Sequence, residues 1–157
     1  MPVLVSACLL GEKCRYDGKG YLLPSLVTSL QGYKVLPICP EVMGGLSVPR
    51  PPCEIKGGDG MKVWQGTAGV FTEQGQDLTE VFQKGAYKTL KLAVTTGAQT
   101  AILKEKSPSC GCYTIYDGSF CNCLIPGVGV TTALLKKNKI QVVTHTEWLE
   151  KRRDHFD

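Results

Sequence analysis

Residues 3–18, Val3-Leu4-Val5-Ser6-Ala7-Cys8-Leu9-Leu10-Gly11-Glu12-Lys13-Cys14-Arg15-Tyr16-Asp17-Gly18, join a short apolar, β-branched run to a turn-rich stretch. The run 3–7 has the length and composition of a buried strand, and the loop after it begins at a cysteine. The pattern returns at 34–38 (Lys-Val-Leu-Pro-Ile), a second strand with Cys39 directly behind it, ahead of Pro40 and Glu41. A third strand is expected over 100–105, delivering Ser107-Pro108-Ser109-Cys110-Gly111 just beyond its carboxyl end, and a fourth over 140–144. Helical stretches separate them. One near 24–30 opens at Pro24 and closes at Gly32. Another runs from a capping box at Asp77 to Glu80 as far as about Thr95, with Gly97 as its stop and Gly85 as a slightly weakening interior residue. A third covers about 130–138 after the glycine-rich Gly127-Val128-Gly129, and Thr144 to Glu147 spell a second capping box that opens a final helix.

Strands alternating with helices predict a single Rossmann-like α/β domain over 1–157, three layers deep, with a mostly parallel sheet of about four strands. Between Val42 and Gly75 glycine and proline dominate; the expectation is a long loop with a hairpin around 63–71, and long loops in compact domains are usually functional.

With 157 residues, 43% hydrophobic and 20% charged, the chain can bury a core and is neither disordered nor fibrous. No apolar run reaches membrane-spanning length, and the first residues carry no basic leader, so a cytoplasmic location is expected. The net charge of +4 is carried by clusters at Lys136, Lys137, Lys139 and at Lys151, Arg152, Arg153. Both fit solvated helix ends, and neither has the interleaved aromatics of a nucleic-acid surface.

Eight cysteines, at 8, 14, 39, 53, 110, 112, 121 and 123, exceed what packing asks of such a domain. A disulfide framework belongs to small secreted scaffolds with thin cores. Zinc ribbons show paired Cys-x-x-Cys steps, whereas this chain has only Cys110-Gly111-Cys112 and Cys121-Asn122-Cys123, and the compact four-cysteine run of bacterial ferredoxins is absent. A metal cluster would have to gather ligands from distant parts of the chain. Cys8, Cys39 and Cys110 each follow a predicted strand, which puts all three at the sheet edge where α/β proteins bind ligands.

A cubane cluster held by three thiolates leaves one iron open as a soft Lewis acid for a substrate sulfur. Glu41, two residues past Cys39, is the acid/base candidate, with a helix cap or an ion pair to Arg50 as the plainer alternative. Ser107 and Ser109 flank Pro108 beside Cys110 and are placed either to hold a substrate oxygen or simply to satisfy a turn. Arg15, Tyr16 and Asp17 are a surface turn or a substrate contact. A non-catalytic iron–sulfur or zinc-binding protein and a thiol-based redox protein use the same cysteines and stay open as alternatives.

The segments VSACLLGEKCRYDG (5–18), CPEVMGGLSVPRPPCE (39–54) and LKEKSPSCG (103–111), with DLT (77–79), IYDGSF (115–120) and GVGVTTALL (127–135), resemble the thiouracil desulfidase family over nearly the whole chain. The resemblance implies a [4Fe-4S] cluster on Cys8, Cys39 and Cys110, with Glu41 as proton carrier. The substrate would be thiouracil or a similar small thiolated heterocycle, whose sulfur leaves as hydrosulfide while water supplies oxygen. Cys14 belongs to the shared motif as a reserve thiol. Cys53, Cys112, Cys121 and Cys123 depart from the family pattern; any of them could add a fourth ligand or hold sulfur, and Cys112 stands near enough to Cys110 to compete with it.

Overall fold

Strand β1 (Pro2–Ser6) is buried on both faces, and its side chains sort by the two-residue period of a strand. Val3 and Val5 pack on one side with Leu26, Leu30 and Trp148; Leu4 packs on the other with Ala93 and Leu135. The computed structural model describes residues 1–154. In it β1 pairs in parallel with β2 (Lys34–Ile38) on one side and β5 (Thr100–Ile102) on the other, and β8 (Gln141–Val143) completes a sheet of order β2-β1-β5-β8. The expected parallel four-stranded sheet flanked by helices is what forms. β2 lies at the sheet edge, where Pro37 costs no ladder hydrogen bond. Helices α1 (Pro24–Ser29) and α6 (His145–Asp154) cover one face; α4 (Thr79–Thr96) and α5 (Val130–Lys137) cover the other. No helix among the described residues is long and apolar enough to cross a membrane.

The capping box of α6 forms as read: Glu147 N–H donates to Thr144 Oγ1 at 3.1 Å and Thr144 N–H to Glu147 Oε1 at 3.0 Å. The one at Asp77 does not. Asp77 Oδ1 instead accepts the N–H and hydroxyl of Thr79, so the helix starts at Thr79 with Leu78 at its cap and no side-chain cap bond. The third strand is shorter than the expected 100–105 because Lys104 N–H turns to Ser6 Oγ, 2.9 Å away. Of the second basic cluster, the side chain of Arg153 lies outside the described residues.

The stretch 42–75 is not one long loop. It takes in the end of α2 (Pro40–Met43), an antiparallel pair of β3 (Cys53–Lys56) with β4 (Gly69–Thr72), and α3 (Gly60–Trp64) between them. Val63 and Trp64, expected in a hairpin strand, are helical because Asp59 accepts the N–H groups of Met61 and Lys62 and starts a helix there. A second small hairpin, β6 (Thr114–Tyr116) with β7 (Leu124–Pro126), had no counterpart in the sequence reading. Both hairpins bury apolar residues against α4 and α5 in a separate cluster that includes Ile55, Val70, Phe82, Ile115 and Val130.

Gly85 proves to be a packing requirement. A Cβ there would lie 1.9 Å from Pro40 O, and one at Gly44 would lie 2.3 Å from Val81 O, so α2 rests on α4 backbone to backbone. Helix propensity alone favours Gly85→Ala by about 1 kcal/mol. The close approach predicts the opposite sign, a loss of about 1–3 kcal/mol from overpacking, measured by denaturant unfolding; a stabilised variant would refute it.

Candidate functional site

The carboxyl ends of β1, β2 and β5 open into one cavity of about 490 Å³ at the point where strand order reverses around β1. Cys8 reaches it from a single 3-10 turn, Ala7–Leu9, after β1. Cys39 caps α2 after β2, and Cys110 follows β5 through the Ser-Pro-Ser turn. All three line the cavity, as do Glu41, Ser107 and Ser109. The six residues singled out from sequence are therefore brought together.

The Ser-Pro-Ser-Cys turn is rigid for local reasons. Ser107 Oγ accepts the N–H groups of Ser109 at 3.1 Å and Cys110 at 3.0 Å, and Gly111 N–H returns to Ser107 O at 2.8 Å. The amino end of α5 clamps it from behind: Thr131 N–H donates to Ser109 O and Thr132 Oγ1 to Cys110 O, each at 2.9 Å. This needs Gly129, where a Cβ would stand 2.4 Å from Ser109 C. The glycine-rich turn before α5 thus serves the site directly, a role that its place between two elements does not reveal.

Glu41 satisfies both of its sequence readings at once. Arg50 donates to Oε1 from Nε at 3.2 Å and Nη2 at 3.1 Å, and Ser109 Oγ donates to Oε2 at 2.9 Å, with Ser107 Oγ more distant at 3.5 Å. Ser109 Oγ is also 3.7 Å from Cys110 Sγ, so one hydroxyl bridges the carboxylate and a cavity thiol. Ser107 shapes the turn, while Ser109 faces the chemistry.

The thiols differ in environment. A hydrogen bond from Cys14 holds Cys8 below its ordinary pKa against the opposing effect of burial. For Cys14 itself, the downward pull of its bond with Cys39 is outweighed by its bond with Cys8 and by burial, giving a pKa of about 11. The bond with Cys14 and burial push Cys39 strongly upward, and burial raises Cys110 to about 12. Crowded, poorly solvated thiols of this kind ionise readily when a cationic centre sits among them. Among the described residues no three such groups converge closely enough for a single metal ion. Thiols that three strand ends bring to one cavity suit a polynuclear cluster, which takes each ligand on a separate metal atom.

Of the remaining cysteines, Cys14 and Cys53 also line the cavity; burial and the nearby Glu41 lift Cys53 to about 11. Cys112 is 1% exposed and packs in the same core cluster as Cys110, but unlike Cys110 it does not line the cavity. Cys121 and Cys123 are exposed, and all eight cysteines are free. From the loop after Cys8, Arg15 and Tyr16 line the cavity, while Asp17 pairs with Arg15 at 3.4 Å and accepts Lys19 N–H. Lys104 also reaches the wall, its pKa lowered by burial.

A family model described as 2-thiouracil desulfurase matches residues 3–147. The uncharacterized protein YbbK of Bacillus subtilis (strain 168) is 45% identical over 145 residues, spanning 92% of this chain and 96% of that protein. Among solved structures, that of the [4Fe-4S]-dependent thiouracil desulfidase TudS superposes with a TM-score of 0.84 at 41% identity, covering 95% of this chain and 93% of that one.

The Arg50–Glu41 pair is shielded, its side chains 5% and 15% exposed. Arg50→Ala is expected to cost about 1–3 kcal/mol, since it leaves a carboxylate short of two charge-assisted bonds. Combining it with Glu41→Gln in a double-mutant cycle should return a coupling of about 1 kcal/mol or more by chemical unfolding. Additive losses would mean that the two side chains are not energetically coupled.

Proposed function

The chain belongs to the 2-thiouracil desulfurase family, and from that premise we propose that it removes sulfur from thiouracil, or a similar small thiolated nucleobase, with a [4Fe-4S] cluster held by Cys8, Cys39 and Cys110. The observation that carries this reading is that these three thiols, from three separate strand ends, line one cavity together with Glu41 and Ser109. When bound, such a cluster supplies one iron without a protein ligand, a soft Lewis acid suited to a thiocarbonyl sulfur. The reaction exchanges C=S for C=O at the expense of one water and releases hydrogen sulfide, with no net oxidation or reduction.

The protein's own part is proton handling and placement. Glu41 Oε2 takes a proton from the attacking water and returns it to the departing side. Arg50 fixes the other oxygen through two bonds, so the carboxylate cannot swing away. Ser109 lies between Oε2 and Cys110 and keeps the proton carrier in register with the reacting centre. Ser107 acts through the turn that it organises. Free cysteines throughout fit a reducing compartment, and we place the protein in the cytoplasm. The substrate is a small molecule rather than a nucleic acid; Lys136, Lys137 and Lys139 after α5 are exposed as expected, whereas Arg152 of α6 is half-buried over the rings of Trp148 and Tyr33 instead of solvated.

Anaerobic reconstitution should give brown protein with about four irons and four sulfides per chain. Cys39→Ala should fail to retain them by iron and sulfide analysis. Glu41→Gln should keep the colour while its sulfide release from thiouracil falls by about 10²–10⁴-fold. Colourless protein that takes up zinc stoichiometrically would overturn the cluster reading; full turnover in Glu41→Gln would remove that residue from its role.

A further inference from the structure

One stretch of the cavity wall is not accounted for by the cysteines or by Glu41: the connection from Gly118 to Cys123, between β6 and β7. Phe120 and Asn122 line the cavity, Phe120 half-buried and Asn122 exposed, whereas Ser119, Cys121 and Cys123, exposed as well, do not line it. Phe120 and Asn122 both have positive φ, 58° and 59°. Asparagine tolerates that region; a bulky aromatic rarely enters it. Such backbone persists only where its surroundings hold it, and it concentrates at ligand contacts.

Here the holding group is Glu54 of β3, whose Oε1 accepts the N–H of Gly118 at 3.0 Å and of Phe120 at 3.2 Å. Asp117 fixes the turn by accepting Ser119 N–H at 2.9 Å and its hydroxyl at 2.6 Å. Lys56 Nζ lies 5.8 Å from the Phe120 ring centroid and supports the ring from the β3 side. Both residues thus reach the cavity, and Phe120 does so at a conformational cost that a plain connecting loop has no reason to bear.

The geometry points to Phe120 and Asn122 as specificity-determining residues: the ring of Phe120 stacks on a planar heterocycle, and the carboxamide of Asn122 pairs with an adjoining N–H and C=O on the edge of that heterocycle. Glu54 is their positioning residue. The assignment rests on the desulfidase reading for the identity of the heterocycle. An amide can donate and accept side by side, so it matches a pyrimidine with an amide edge and discriminates against a thiolated ring without one.

The test is calorimetric binding to the anaerobically reconstituted full chain, with uracil, the product, and 4-mercaptopyridine, which has the thiolated ring but no amide edge. Asn122→Gly keeps the positive φ and removes only the amide. It should weaken uracil about tenfold and leave mercaptopyridine within about twofold. Phe120→Leu should weaken both about tenfold, and Phe120→Tyr should restore them. Uracil affinity unchanged in Asn122→Gly, equal losses for both compounds in that variant, or wild-type protein that binds neither compound would overturn the assignment. Sulfide release from thiouracil is scored separately: the expected binding pattern without turnover supports this wall and counts against the desulfidase reading instead.

Discussion

Two helices in this protein, α2 and α4, meet backbone to backbone at a pair of glycines, and the site takes its shape from that contact. Cys39 stands at the end of an edge strand, where the sheet holds it from one side only. Its position is set instead by α2, whose Gly44 lies against Val81 of α4 and whose Pro40 carbonyl lies against Gly85. Moving α2 outward by the width of a methyl group would carry Cys39 and Glu41 away from Ser109 and Cys110, which α5 holds independently. The cavity therefore depends on two helices, α4 and α5, that contribute no thiol or carboxylate to it.

The fold was largely legible in the chain. β1, β5 and β8 announce themselves because both faces are buried, which demands short apolar runs. The box at Thr144 and Glu147 was legible because capping is local. Asp77 misled for the same reason: Thr79 is nearer than Glu80 and takes its bonds. The stretch 42–75 stayed illegible because β3 and β4 are stable only against Phe82 of α4 and Ile115 of β6, partners that local composition does not display.

Within the site, the three thiols that follow strands could be found from the chain, and Glu41 from its neighbourhood to one of them. Arg50 entered only as a competing explanation for Glu41, yet it is part of the same arrangement. Gly129 and Thr132 act through backbone contacts across the fold, for which a sequence offers no periodicity. Gly85 was read with the wrong sign, because propensity sees one helix where the structure has two.

The thiols divide by environment into those of the cavity, Cys112 in the core, and Cys121 with Cys123 in the open. The last two flank Asn122 in the chain, and neither lines the cavity. A fluorophore or spin label coupled there would ride on the recognition loop without entering the reaction chamber, reporting its movements from outside.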